Sequence, residues 1–103
     1  ILAGVPGSRL VLKARALAAA DARDAVTAAF AAHGIGPGRL ALRGWEREVA
    51  SSLALYGQVD IALDTFPYNG ITTTFEALWM GVPVVARRGA RHAARVAATI
   101  LTA

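Results

Sequence analysis

Residues 59–86 read VDIALDTFPYNGITTTFEALWMGVPVVA, and this stretch decides the fold class. The apolar run at residues 59–63 predicts a buried strand, and the turn-forming residues after it predict a loop. Residues 72–80 predict a helix that ends at Gly81, and the apolar residues 82–86 predict a second strand. A strand, a helix and a strand in succession are typical of a parallel βαβ unit.

The same alternation continues on both sides of this stretch. The sequence predicts strands at residues 9–14 and 40–42, a helix that Gly34 ends, and further helices over residues 46–56 and 90–101. The strands are almost continuously apolar, as parallel strands covered on both faces are. We therefore expect an α/β fold, a Rossmann-like parallel sheet with helices on both faces.

Length and composition exclude several classes of protein. A chain of 103 residues has room for one small domain, and 55% hydrophobic with only 17% charged residues excludes a disordered segment. The absence of cysteine removes disulfides, thiol nucleophiles and thiolate-bound zinc. No apolar run reaches the roughly 20 residues of a membrane span, so we expect no membrane partner and a cytoplasmic protein.

The net charge of +4 comes from arginines spread along an alanine-rich chain. A nucleic-acid interface calls for a clustered basic face with interleaved aromatic residues. The sequence shows neither, so we expect no nucleic-acid partner.

The segment from residue 63 to residue 81 has the layout of a ligand site. In an open parallel sheet, ligands bind where the carboxyl end of a strand leads into a helix. Gly70 lets the backbone approach a ligand closely. Thr72 and Thr73 add hydroxyl donors to the free N–H groups at the start of a helix. Together these donors suit the oxygens of a diphosphate. Glu76 lies one turn deeper on the same face, where it could accept hydrogen bonds from ribose hydroxyls.

Ordinary helix capping explains the same pattern without a ligand. Threonines at a helix start and a glutamate in the first turn are common caps, and the sequence lacks the dinucleotide and P-loop glycine motifs. Asp64 ends a predicted strand, where we expect it to cap the turn over residues 65–68. Arg95 follows the basic loop at residues 87–89, which is either a solvated loop or a second phosphate contact.

Residues 60–85 closely resemble the C-terminal catalytic region of the O-linked N-acetylglucosamine transferase family, glycosyltransferase family 41, which includes bacterial and SPINDLY-like members. The similarity extends back through residues 9–14 and Gly44-Trp45, and forward to residues 92–96. It implies a GT-B glycosyltransferase whose C-terminal Rossmann-like domain holds a sugar nucleotide. Residues 1–103 would then be part of that donor-binding domain and a fragment of a longer chain.

The resemblance also implies the reaction and its partners. The family transfers a sugar to Ser or Thr of proteins by an inverting mechanism without a metal or other cofactor; the donor is usually UDP-N-acetylglucosamine. Tetratricopeptide repeats and an N-terminal lobe, which present the acceptor protein, would lie outside these residues, as would any general base. We assign no catalytic residue here, and exposed sheet edges leave pairing with a second copy open.

Carried over by position, Thr72 and Thr73 match the threonines that hold the diphosphate, and Glu76 matches the acidic residue that binds the ribose. Several positions depart from the family: Ile71 stands where His or Thr is usual, and Ser52 falls at a donor-contacting His. No Lys occurs near Val49, where the family has one, and Phe75 stands where a small residue or Cys is usual. We therefore keep an alternative, a non-catalytic interaction or regulatory domain with the same fold. Asn69, Ile71, Ser52 and Arg95 are further candidates for donor contacts.

Overall fold

The computed structural model describes all 103 residues. The chain forms two compact units, residues 1–47 and residues 48–103, each of which is described by itself. Each unit contains one pair of parallel strands together with its helices. The predicted α/β class and the parallel pairing of the strands are therefore confirmed.

The first unit contains strands β1 (Leu10–Lys13) and β2 (Leu40–Arg43) and helix α1 (Ala20–Ala31). The strands pair in parallel from Leu10 opposite Leu40 to Lys13 opposite Arg43. The connection between them carries α1, as a parallel pair requires.

Gly34 ends α1 as the sequence predicts. It has a φ of +76°, its N–H bonds to the carbonyl of Ala31, and the N–H of Ile35 bonds to the carbonyl of Phe30. These two bonds form a Schellman motif, which satisfies carbonyls that the helix would leave unpaired. The motif also turns Ile35 inward, where it is one of three buried apolar residues of this unit with Leu2 and Leu17.

Arg39 holds the N-terminal segment of the first unit. Its guanidinium donates to the carbonyls of Leu2 and Val5, at 3.0 Å each, and to the carbonyl and hydroxyl of Ser8. Nε donates to the Ser8 carbonyl, and the two hydrogens of Nη2 are shared among the other three oxygens. One side chain thereby holds the segment that precedes β1 in place through hydrogen bonds.

The second unit contains two strands and three helices. In chain order they are α2 (Val49–Ala54), β3 (Ala62–Asp64), α3 (Thr72–Trp79), β4 (Val84–Ala86) and α4 (Val96–Leu101). Strands β3 and β4 pair in parallel from Ala62 opposite Val84 to Asp64 opposite Ala86. Helix α3 contacts both β4 and α4, and the buried residues of this unit are small: Thr74, Ala77, Val82, Ala94 and Ala97.

Gly81 closes α3 with a second Schellman motif. Its φ is +79°, its N–H bonds to Leu78, and the N–H of Val82 bonds to the carbonyl of Ala77 at 2.8 Å. The N–H of Val82 is bonded within the cap, and Pro83 has no N–H. Neither residue can donate a hydrogen bond to a neighbouring strand, so β4 begins at Val84. The predicted strand over residues 82–86 was therefore too long at its start.

Three other predicted boundaries were wrong for similar reasons. The N–H of Val59 bonds to the carbonyl of Tyr56 and closes a 3₁₀ turn over Leu55–Gln58. Strand β3 therefore begins three residues later than expected, and the helix predicted over residues 46–56 ends at Ala54; it also begins later, at Val49. The helix predicted over residues 90–101 begins as a 3₁₀ turn, His92–Ala94, and only then becomes α4. Short i to i+3 bonds thus replace the last turn of the first of these helices and the first turn of the second.

The predicted sheet is present as two separate pairs of strands, and a single continuous sheet is not formed within these residues. In the second unit one face of the pair is open, because Leu63 is 45% and Val85 is 58% exposed. No helix of the chain has the length and hydropathy to cross a bilayer.

Candidate functional site

Two side chains fix the loop between β3 and α3 by hydrogen bonds to the backbone of Gly70. The N–H of Gly70 donates to Asp64 Oδ1 at 2.7 Å, and its carbonyl accepts the hydroxyl of Thr74 at 2.9 Å. Asp64 is the last residue of β3 and Thr74 is buried on α3. The end of the strand and the first turn of the helix are therefore fixed to the same residue. The expected capping of residues 65–68 by Asp64 is wrong, because this carboxylate reaches further along the loop.

Side chains of the protein itself crowd Gly70. A Cβ atom at this position would overlap the Thr73 hydroxyl and would lie 3.5 Å from both Asp64 Oδ1 and Thr74 Oγ1. The sequence predicted a glycine that lets a ligand come close. The structure shows that the threonines of α3 already occupy the space beside it.

The N-terminus of α3 has no side-chain cap. Ile71 occupies the N-cap position, and an isoleucine has no atom that could accept a hydrogen bond from the first N–H groups. Those N–H groups have no acceptor within the helix and carry part of the positive end of the helix dipole. The side chains of Thr72 and Thr73 are exposed here, and their hydroxyls make no hydrogen bond within the protein. This end of the helix therefore presents backbone N–H donors, two hydroxyls that can donate, and an exposed apolar side chain, Ile71.

Glu76 lies on the next turn of α3 and is half-buried. The hydroxyl of Tyr56 lies 3.4 Å from Glu76 Oε2 and 3.2 Å from the carbonyl oxygen of Thr73. Burial raises the pKa of Tyr56 above its ordinary value of 10.0, and the negative charge and hydrogen bond of Glu76 raise it further. Tyr56 is therefore a neutral hydrogen-bond donor at physiological pH. One carboxylate oxygen of Glu76 has this partner, and the other is left for a further donor.

The loop before α3 is joined to the loop that follows β4. The N–H of Asn69 donates to the carbonyl of Ala93 at 2.8 Å, and Asn69 Oδ1 lies 3.4 Å from the N–H of Ala97, in the first turn of α4. Asn69 Nδ2 and Asp64 Oδ2 are enclosed without a hydrogen-bond partner in the protein. Asn69, a candidate for a donor contact, therefore links the two loops in this structure.

The loop after β4 carries four arginines, and all of them are exposed: Arg87, Arg88, Arg91 and Arg95. The guanidinium of Arg87 lies 5.0 Å from the centre of the Phe66 ring, a cation–π distance. None of the four forms an ion pair within the protein. Residues 48–86 contain no lysine or arginine, so these four arginines are all the lysine and arginine residues of the second unit.

The structure thus brings some of the predicted residues together. Gly70, Thr72, Thr73 and Glu76 lie on one loop and the first turns of one helix, with Ile71 at the N-cap. Ser52 lies half-buried on α2, four residues before Tyr56, and Arg95 lies at the N-cap of α4. Sequence reasoning missed the contact of Tyr56 with Glu76, because no local spacing relates residues twenty positions apart.

The connection from β3 to the open N-terminus of α3 places this chain among α/β proteins, in which ligands bind outside the carboxyl ends of the strands. This chain belongs to glycosyl transferase family 41, whose family model matches residues 1–103. It is 40% identical over 102 residues to a probable UDP-N-acetylglucosamine–peptide N-acetylglucosaminyltransferase SPINDLY of Oryza sativa subsp. japonica, and 38% identical over 102 residues to the protein of that name from Arabidopsis thaliana. Each match covers 99% of this chain and 11% of the relative.

A solved structure agrees with these relatives. A mutant of the Thermobaculum terrenum O-GlcNAc transferase is 40% identical and superposes with a TM-score of 0.90, over 98% of this chain and 19% of that one. The chain therefore spans a small part of each protein that it matches. The resemblance read from residues 60–85 is confirmed at the level of the family.

Proposed function

We propose that this chain is part of the donor-binding domain of an O-GlcNAc transferase-like glycosyltransferase. One observation carries the proposal: the N-terminus of α3 is uncapped and flanked by the exposed hydroxyls of Thr72 and Thr73. Backbone N–H groups at a helix N-terminus bind phosphate oxygens, and the helix dipole favours negative charge there. The diphosphate of a sugar nucleotide is an anion of this kind.

Glu76 supports a nucleotide in particular. Its carboxylate lies one helical turn beyond Thr72, and Oε1 remains available to accept hydrogen bonds while Oε2 faces Tyr56. A carboxylate is a strong acceptor for the hydroxyls of a ribose. The donor we propose is UDP-N-acetylglucosamine, because the relatives' names specify it.

The proposed reaction is inverting transfer to Ser or Thr of an acceptor protein. The hydroxyl oxygen of the acceptor forms a bond to C1 of the sugar from the face opposite the nucleotide. The bond from C1 to the diphosphate oxygen breaks, its electron pair goes to the diphosphate, and the hydroxyl proton goes to a base outside this chain. The positive end of α3 stabilises the charge that develops on the diphosphate, a task for which no metal or other cofactor is then required.

Calorimetric titration of the intact protein with UDP and UDP-N-acetylglucosamine tests the proposal. We expect wild type to bind both, and the double variant Thr72→Val and Thr73→Val to lose about tenfold or more in affinity, since two hydroxyl donors disappear. Thr99→Val is the matched control, because Thr99 is an exposed helical threonine on α4. Unchanged affinity in the double variant would refute the assignment of these threonines.

The exposed Ile71 favours a second candidate, a non-catalytic interaction or regulatory domain with the same fold. Its side chain is 55% exposed and adds no hydrogen-bonding group beside the open helix end. Substituting Ile71→His together with Ser52→His separates the two candidates in an assay of sugar-nucleotide hydrolysis and transfer. A gain in activity supports the transferase, whereas no activity before or after substitution in a folded protein supports the second candidate.

A further inference from the structure

Tyr56 is the side chain that connects the segment before β3 to helix α3. It lies in the 3₁₀ turn over Leu55–Gln58, and its hydroxyl reaches Thr73 and Glu76 on α3. The two acceptors are a carbonyl oxygen at 3.2 Å and a carboxylate oxygen at 3.4 Å. The contact thus bridges 17 to 20 positions of the sequence and meets α3 within its first two turns.

A phenol has one O–H to donate, and both of its neighbours here are acceptors. A proton shared between two acceptors gives longer contacts than the roughly 2.7–2.8 Å of a single O–H···O bond, as observed. The neutral phenol also suits Glu76 as a charged acceptor, because hydrogen bonds to a charged group are the stronger ones. The arrangement fixes Oε2 and leaves Oε1 without a partner in the protein.

We propose that Tyr56 is a positioning residue, which orients the Glu76 carboxylate so that Oε1 accepts the ribose hydroxyls of the donor. This inference rests on the proposed function. A free glutamate has three rotatable side-chain bonds, and ordering it on binding opposes affinity. Tyr56 restricts that freedom before the nucleotide arrives.

The test is a comparison of two ligands on two proteins. The intact wild type and Tyr56→Phe are titrated with UDP and GDP, and with the 2′,3′-dideoxy forms of whichever nucleotide binds. The phenylalanine keeps the ring and removes only the hydroxyl, and thermal unfolding establishes that the variant is folded. Tyr68→Phe is the matched control, because Tyr68 is 75% exposed and makes no hydrogen bond through its hydroxyl.

We expect Tyr56→Phe to weaken the ribonucleotide by about five- to tenfold and the dideoxynucleotide by less than about twofold, since the lost hydrogen bond acts only through the ribose contact. In a Glu76→Gln background the same substitution is expected to have a much smaller effect, because the two residues act as one unit. Equal weakening of both nucleotides overturns the inference and shows a structural role alone. An unchanged affinity for the ribonucleotide overturns it as well.

The same titrations distinguish a failure of the proposed donor binding from a failure of the role proposed for Tyr56. If neither UDP nor GDP binds the wild type, the proposed function fails and this inference falls with it. If a nucleotide binds and Tyr56→Phe does not weaken the ribose form more than the dideoxy form, only the inference about Tyr56 is refuted.

Discussion

The Asp64 carboxylate accepts the N–H of Gly70 at 2.7 Å, across the loop that separates β3 from α3. A hydrogen bond to a charged acceptor contributes about 2 kcal/mol, so Asp64→Ala is expected to lower the free energy of unfolding by that amount. Asp64→Asn retains a neutral acceptor oxygen and should recover part of the loss. Urea denaturation measures both, with Asp60→Ala, an exposed aspartate outside this contact, as the control. Equal stability of the Ala and Asn variants at Asp64 would contradict the role of this bond.

Ile71 occupies an N-cap position that favours Asp, Asn, Ser or Thr, so Ile71→Asp is expected to stabilise the free protein by about 1 kcal/mol. The same carboxylate would occupy the N–H groups that we assign to the diphosphate and would repel it. We therefore expect a higher Tm and a weaker affinity for UDP in one variant. Ile71→Val keeps the position apolar and serves as the control. A variant with tighter UDP binding would contradict the assignment of the α3 N-terminus.

Tyr56 predicts a dependence of stability on alkaline pH. Burial and the charge of Glu76 raise its pKa above 10.0 in the folded state, whereas the unfolded chain releases this proton near 10.0. Below that pH both states are protonated and the contribution to stability is constant. Above it, the unfolded state deprotonates first, so stability falls as the pH rises toward the folded-state pKa. The free energy of unfolding between pH 8 and pH 11 should therefore decline more steeply in wild type than in Tyr56→Phe, and parallel curves would argue against the shift.

The arginines that follow β4 are expected to make a salt-dependent contribution to donor binding. Arg87 and Arg88 are exposed, carry no ion pair, and follow the strand that pairs with β3. Substituting Arg87→Gln and Arg88→Gln together should weaken UDP binding about threefold at low ionic strength, and the loss should shrink in about 0.5 M salt because screening removes it. Arg9→Gln, an exposed arginine of the first unit, is the control. A loss that persists at high salt would indicate a direct contact instead of a long-range attraction.

The sequence predicted the parts of the fold that depend on neighbouring residues. Gly34 and Gly81 end α1 and α3, because only a residue that tolerates a positive φ allows the chain to leave the helix in a Schellman motif. The start of α3 at Thr72 was also correct. Both features are encoded within a few positions of the chain.

Sequence reasoning failed where one backbone group has two competing partners. Val59 looks like a strand residue, yet its N–H is committed to the carbonyl of Tyr56, and Val82 is committed in the same way to Ala77. The contacts of Tyr56 with Glu76 and of Asp64 with Gly70 join residues that only the folded chain brings together. The candidate diphosphate residues could be named in advance, whereas the side chains that support them could not.

Hydrogen bonds hold helix α3 at both of its ends. Tyr56 and Gly70 hold its first turns, and the cap formed by Gly81 and Val82 holds its last turn. Eight residues of helix span only about 12 Å, so little of its length lies far from a fixed point. The entropy of ordering this element is lost when the protein folds, before any ligand arrives. An anion bound at its N-terminus would meet a pre-organised site, and its association should be limited by diffusion and charge instead of by rearrangement of the chain.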